Sequence, residues 1–396
     1  MSRQLASHND DIRRLIEKGF AVSEDSNYLV VRDIPYLDAN LELAAGAFVA
    51  TLVAIDEHRV LQDNHQVWFA GGVPHGLDGR PIPNLGDSPC TLHLSSACSD
   101  VVVQRQFSNK PVVTERFADF FAKIESYTNI IAGPAMARYG ATPYTFRVAA
   151  EVAQDPTFKF RDTLTSRAEI TDLAACFRDD VVAVIGLGGT GSYVLDFMVK
   201  TPVAEVRAFD ADRFHVHNAF RSPGHVDPLE FDKTKAEVYL ARYTNFRHGL
   251  SAQATYIDGS SEDELGGVTF AFVCVDKGAA RAEIFRALMD RNIPFIDVGM
   301  GLKRKDQGLG GMVRVTYFPS GHSEEVMRKS HAPLQDDPED LYRVKVQIGE
   351  LNALNAALAV TRYKQLRGFY KDVSDWENIL FDTTDLKCVG VSSRED

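Results

Sequence analysis

The sequence predicts an α/β protein, with a larger domain built on a largely parallel sheet and a smaller α+β domain before it. Three observations predict it. Val181-Val-Ala-Val-Ile-Gly-Leu-Gly-Gly-Thr-Gly-Ser192 is an apolar, β-branched run that ends abruptly in glycines, as when a parallel strand hands a nucleotide phosphate to the first turn of a helix. From about residue 160 strand-like and helix-like segments alternate, which marks βαβ units and a parallel sheet. Residues 1–150 lack that alternation.

In chain order, Asp10 to Lys18 reads as a short helix, with Ile12, Leu15 and Ile16 on one face and Gly19 as its stop. Tyr28–Val31, Ala47–Ile55 and Gln66–Phe69 are short β-rich runs, separated by turn-rich segments such as Gly71 to Pro83. Phe117–Tyr127 reads as a helix. These elements make the first domain, residues 1–155. The second, 156–396, holds strands at 181–185, 204–209, 269–275 and 294–298, with helices at 190–200, 233–246 and 278–291. A last helix, Gln347 to Gln365, carries Ile348, Leu351, Leu354, Leu358 and Val360 as a stripe that packs on the sheet.

The totals narrow the function. The chain has 396 residues, 45% hydrophobic and 25% charged, values of a globular protein that buries real cores. Its formal net charge of -12 argues against nucleic acid as a partner, because phosphate contacts demand clustered Lys and Arg. The N-terminus has no apolar core of the kind a signal peptide needs, and no run of about twenty apolar residues suggests a membrane span. The five cysteines, Cys90, Cys98, Cys176, Cys274 and Cys388, are irregularly spaced without a Cys-x-x-Cys pair, which disfavours a disulfide framework or a zinc knuckle. A reduced, cytoplasmic protein is expected.

Gly186, Gly188 and Gly191 satisfy G-x-G-x-x-G, with Gly189 as a fourth glycine, between a strand and a helix. That is a Rossmann-like nucleotide site, and four glycines in six residues weaken a fold unless a backbone must approach something closely. Asp210 ends the next strand, where an acid accepts hydrogen bonds from ribose hydroxyls. To this point an NAD-dependent oxidoreductase fits equally well. Beyond it come Asp212, Asn218 and Arg221, and then Lys235 at the head of a helix. Hydride transfer has no obvious use for two cations there. ATP does, because its triphosphate carries about four negative charges that must be matched as pyrophosphate leaves. Asp276 ends a later strand with a carboxylate suited to holding Mg²⁺.

This order resembles the adenylating domain of the ThiF/MoeB and ubiquitin-activating-enzyme superfamily: G-x-G-G-x-G-S at Gly186 to Ser192, D-x-D at Asp210 and Asp212, N-x-x-R at Asn218 and Arg221, then Lys235 and Asp276. The resemblance covers roughly residues 165–370. It implies that Asp210 binds the ribose and that Gly188 and Gly189 lie under the nucleotide. It also implies that Asn218, Arg221 and Lys235 hold the phosphates, and Asp276 the metal. The implied reaction is attack by the C-terminal carboxylate of a ubiquitin-like protein on the α-phosphate of ATP, giving an acyl adenylate and pyrophosphate. Also implied are a homodimer, a conjugating-enzyme-like partner and a bacterial ubiquitination-like pathway linked to phage defence. Residues 1–155 resemble an uncharacterised domain fused to such adenylating domains, and docking of the partner or substrate is their expected role. A non-catalytic scaffold on the same domain is the other alternative.

Several residues carry two readings. Asp212 either serves the site or caps a turn. Lys233 neighbours Lys235, and the spacing to Arg221 favours Lys235. Arg281 stands where the family often has Arg, or on a solvated helix face. His215 and His217 read as loop residues. In this family a second subunit often donates an Arg, and Arg167 is the candidate here. The stretch Gly301 to Gln347, where relatives carry a thioester-forming cysteine, contains none. Direct transfer of the adenylate to a partner's nucleophile is therefore expected, the alternative being that Cys388 swings in from the C-terminal tail. Gly308-Leu-Gly-Gly is expected to be flexible, and the polar stretch from His322 to Asp340 to pass an incoming protein tail.

Overall fold

A computed structural model of the protein describes residues 8–25, 27–55, 59–94, 98–111, 115–147, 157–159, 162, 164, 165, 170–305, 308–334 and 346–392. The chain forms two compact units, Met1–Asp155 with Arg161–Asp172, and Pro156–Phe160 with Leu173–Asp396.

The first unit opens on α1 (Asp10–Lys18), whose acidic first turn and basic last turn complement the helix dipole. It ends at Gly19 in the left-handed region, φ +105°. The strands are β1 (Ala21–Asp25), β2 (Tyr28–Leu37), β3 (Leu43–Thr51), β4 (Val53–Ala54), β5 (Val60–Leu61), β6 (Val67–Ala70), β7 (Ser88–Pro89) and β8 (Arg105–Phe107). Six of them make an antiparallel sheet in the order β1-β2-β3-β6-β8-β7. The helix expected over 117–127 is α2, Phe120–Tyr139, which runs a further three turns through Pro134. Gly133-Pro134 looks like a stop in sequence, but burial of Ile131, Ala132 and Ala135 overrides the lost hydrogen bond. Ile12, Leu15, Phe48, Phe69, Phe107, Ile124 and Tyr127 form the core between helices and sheet.

The second unit holds β9 (Val181–Ile185), α3 (Gly189–Val199), β10 (Glu205–Phe209), α4 (Lys235–Tyr243), β11 (Leu250–Gln253), β12 (Phe270–Val273), α5 (Gly278–Asp290), β13 (Phe295–Lys305), β14 (Gly308–Phe318), α6 (Gly349–Leu366), β15 (Trp376–Asp382) and β16 (Lys387–Ser392). Its eight-stranded sheet has the order β11-β10-β9-β12-β13-β14-β15-β16. It is parallel from β11 to β13 and antiparallel beyond. Val182 and Val184 of β9 face the core shared with α3 and α6, while Ala183 and Ile185 face α5, as strand alternation requires.

Two expectations are corrected in the antiparallel half. Gly308-Leu-Gly-Gly is the start of β14, paired residue by residue with β13 from Lys305↔Gly308 onward. Its glycines permit close approach: a Cβ on Gly311 (φ +153°) would lie 1.9 Å from the Gly301 carbonyl oxygen. Cys388 belongs to β16, opposite Phe381 of β15, rather than to a tail free to swing.

The chain leaves β9 for β10 on one side and returns for β12 on the other. That reversal is a topological switch point, where open α/β sheets bind ligands outside the carboxyl ends of the strands. Ile185 is in register with both Phe209 and Val273, so three strands end in one row. The residues that follow them, Gly186, Asp210 and Cys274, share the crevice.

A Cβ on Gly191 would lie 1.8 Å from the Gly186 carbonyl oxygen, whereas one on Gly188 would meet nothing within 4 Å. Gly191→Ala should therefore cost at least about 1–3 kcal/mol of stability or fail to fold, and Gly188→Ala less than about 1 kcal/mol. Chemical denaturation of the two variants checks the contrast.

Candidate functional site

The glycine loop is shaped by its neighbours. Gly186 adopts φ +92°, donates its N–H to the Phe209 carbonyl at 2.8 Å, and runs so close to β12 that a Cβ would lie 2.8 Å from the Cys274 carbonyl oxygen. Gly188 caps α3 and leaves its side open. The first turn of α3 thus presents backbone N–H groups and the positive end of a dipole at the crevice. Gly189 packs on α6, where a Cβ would collide with Asn352. Thr190 Oγ1 donates to Asn352 Oδ1 at 3.0 Å, and Asn352 Nδ2 is buried without a hydrogen-bond partner among the described residues.

Asp210 joins three elements. Its Oδ2 accepts the Leu187 N–H at 2.6 Å and its Oδ1 the Asp212 N–H at 2.8 Å. Lys235 Nζ lies 3.2 and 3.1 Å from the two Asp210 oxygens and 2.9 Å from Asp212 Oδ2. Lys235 is the first residue of α4, capped by Thr234 and Glu237 in a reciprocal capping box. Its N–H also donates to the Asp212 carbonyl at 2.9 Å. The Lys235 and Asp210 side chains are 8% and 7% exposed. Burial works against the Lys235 charge, but the Asp210 and Asp212 carboxylates outweigh it and hold its pKa above the ordinary value. The hydrogen bond from Lys235 holds the Asp212 carboxyl below its usual range. Lys235 is therefore the lysine brought to the paired acids, while Lys233 is exposed.

Asn218 is buried in the short helix Val216–Ala219, and its Oδ1 accepts the His215 N–H at 2.8 Å. Half-buried Arg221 follows, with one terminal nitrogen on Gln347 Oε1 at 2.5 Å and its Nε buried without a partner among the described residues. Burial lowers the pKa of its guanidinium, against the pull of Asp276. Asp276 is exposed just past β12. His217 is pushed below its ordinary pKa by burial and then by the positive charges of Arg221, His215 and Lys235. Arg221 and Lys235 thus both act on this corner of the crevice, each with a carboxylate beside it: Asp276 near Arg221, Asp210 and Asp212 on Lys235. Gln347 and Asn352 were not foreseen from sequence; they lie 126 and 162 residues from their partners.

Arg281 does not sit on a solvated helix face. It is 4% exposed, with Nε on Asp297 Oδ1 at 3.0 Å and terminal nitrogens on the carbonyls of Val275 (2.6 Å) and Pro333 (2.9 Å). Fully buried Asp297 also takes Arg314 at 2.5 Å. This cluster pins the backbone beside Asp276. Arg167 lies outside the described residues, as do positions 335–345 of the polar loop. Among the described residues no group of three His, Cys, Asp or Glu is arranged to hold a metal by itself. Asp276 offers one carboxylate, which fits Mg²⁺, an ion that takes one or two carboxylates together with phosphate oxygens.

The ThiF family profile matches residues 171–374, just over half of the chain. The chain belongs to the ThiF family. Residues 10–163 match a domain of unknown function, DUF6791. Ubiquitin-like modifier-activating enzyme 5 of Drosophila ananassae is 26% identical over 167 residues, covering 39% of this chain and 42% of that protein. The chain therefore spans less than half the length of that curated relative. Among solved structures, MccB of E. coli aligns with TM-score 0.46 and 16% identity over 58% of this chain and 69% of that one. PaaA aligns with TM-score 0.42 and 15% identity over 56% and 66%. No helix among the described residues is long and apolar enough to cross a membrane.

Removing Lys235 from the ThiF unit leaves Asp210 as a buried charge without its cation. Lys235→Met should cost about 3 kcal/mol, and adding Asp210→Asn should restore much of it. Because the folded pKa of Asp212 lies below 3.8, its share is complete above that value and lost as pH falls through the lowered one. Because that of Lys235 lies above 10.5, its share is complete below that value and lost as pH rises through the raised one. The stability gap between wild type and Lys235→Met should be flat from about pH 5 to 9 and shrink at both extremes. Denaturant titrations across pH check this.

Proposed function

We propose that the ThiF unit binds Mg²⁺-ATP and adenylates the C-terminal carboxylate of a ubiquitin-like protein, releasing pyrophosphate, for transfer to a conjugating-enzyme-like partner. The observation that carries this is Arg221, whose buried Nε has no acceptor among the described residues and whose guanidinium feels the Asp276 carboxylate. An unpaired buried guanidinium nitrogen is costly, and a phosphate oxygen supplies the acceptor it lacks. Membership of the ThiF family and similarity to a ubiquitin-like modifier-activating enzyme support the reading.

Each residue has a task in it. The N–H groups of Gly189 to Gly191 cradle phosphate at the α3 N-terminus. Gly188, with no atoms over it, lets a ligand lie against the backbone. Asp210 takes the ribose hydroxyls, held in place by Leu187 and Lys235. Asn218 aims Arg221 by fixing the short helix before it, and Arg221 and Lys235 match charge on the phosphates. Asp276 holds Mg²⁺ with the phosphates, and the ion when bound supplies further charge neutralisation. The attacking carboxylate is already ionised, so positioning and charge do most of the work and no general base is needed.

Cys388 does not suit a relay: it is built into β16, and burial raises its thiol pKa, which lowers reactivity. Direct transfer to the partner's nucleophile is the reading retained. The DUF6791 unit is assigned to docking the ubiquitin-like protein or the conjugating partner, in a homodimeric, cytoplasmic enzyme of a bacterial ubiquitination-like pathway serving phage defence.

ATP–pyrophosphate exchange against small ubiquitin-fold proteins encoded nearby tests the assignment. Lys235→Arg, which keeps the buried charge, and exposed Asp276→Asn should each lower exchange about 100-fold or more, with Cys388→Ser unaffected. Exchange unchanged by both site variants would overturn the assignment. A Cys388-dependent, reductant-sensitive adduct with the ubiquitin-fold protein would overturn direct transfer.

A further inference from the structure

Across the carboxyl edge of the sheet, the site residues fall in a linear order. Asp276 follows β12, the glycine loop follows β9, Asp210 follows β10, and the residues after β11 come next, since β11 is the outer neighbour of β10. The Asp210 N–H donates to the Gln253 carbonyl at the end of β11, so the row continues to that strand. Adjacent strands are about 4.8 Å apart, so the step from β9 to β11 is roughly 10 Å, the reach of a nucleoside laid across them. A triphosphate over the glycine loop with its ribose on Asp210 therefore sets its base beyond the end of β11.

Tyr256 stands there. The residue is 70% exposed, and among the described residues no aromatic ring or cation packs on it. One exposed aromatic is ordinary on a protein surface; this one is also tethered. Its hydroxyl donates to Asp212 Oδ1 at 3.3 Å, and the other oxygen of that carboxylate is held by Lys235. The backbone beside it is fixed as well. Ile257 is 5% exposed, the Asp258 N–H donates to Ser261 Oγ at 3.1 Å, and Asp258 Oδ1 accepts the Ser260 N–H at 2.8 Å. A planar apolar face is thus kept beside the end of β11, with its polar tip bonded to the carboxylate that Lys235 also holds.

We propose that Tyr256 is the nucleobase platform of this site, its ring stacking on the purine of the bound nucleotide while its hydroxyl stays on Asp212. This rests on the ATP reading above and adds the residue that selects a nucleotide over a bare polyphosphate. Stacking suits the position because every base has a π face that an aromatic ring can cover.

The test is calorimetric titration of the full chain with ATP and, separately, with inorganic tripolyphosphate, which has no base. Tyr256→Ala should weaken ATP roughly 10-fold or more and leave tripolyphosphate unchanged. Tyr256→Phe, which keeps the ring, should stay within about 3-fold of wild type for both. Equal loss of both ligands in Tyr256→Ala would place the effect on the Asp212–Lys235 cluster and overturn the platform. Undiminished ATP affinity in Tyr256→Ala would overturn it too. Wild type that binds neither ligand would overturn the ATP reading itself, a separate failure. The exposed ring makes Tyr256→Ala tolerable to the fold, which its thermal melt verifies.

Discussion

A single buried carboxylate holds this site together. Asp210 accepts the backbone of the glycine loop through Leu187, accepts its own turn through Asp212, and takes the Lys235 ammonium at the head of α4. The loop after β9, the end of β10 and the start of α4 are thereby fixed to a common point. Leu187, Val238 and Tyr239 anchor these segments in the core behind, and the charge-assisted network fixes their polar ends at the crevice. Lys235 is thereby already desolvated and positioned.

The sheet supplies the remaining constraint. In-register ends of β10, β9 and β12 bring loops from residues 186, 210 and 274 onto one edge, and the reversal of strand order opens the crevice between them. The antiparallel half does a different job. Through Asp297 on β13 and Arg314 on β14 it holds Arg281, which in turn grips the carbonyl one residue before Asp276. The C-terminal strands therefore steady the Asp276 side of the crevice from behind.

What was legible in sequence follows from the range of the forces involved. The strand–glycine–helix passage is local, so periodicity and glycine spacing reveal it, and α1 was readable to the residue because its caps are local too. Asp210, Asp212 and Lys235 could be named together because one family pattern links them, and they do meet in the structure. Arg281 was ambiguous because its partners, Asp297 and Pro333, come from other elements. Gln347 and Asn352 were invisible because nothing near them in sequence says they will meet Arg221 and Thr190. β14 read as flexible because its glycines, which look like a loop, are what let it approach β13. β11 was missed because Leu250-Ser-Ala-Gln has no apolar run, and its pairing with β10 is what makes it a strand.

The same glycine loop serves dinucleotides in other sheets, so the account stands on the cations beyond it. The most direct measurement is calorimetric titration of the wild-type chain with Mg²⁺-ATP and with NAD. Saturable binding of ATP at one site per chain is expected, with no binding of NAD at matched concentration. Binding of NAD in preference to ATP would contradict it, because Arg221 and Lys235 would then have no triphosphate to match.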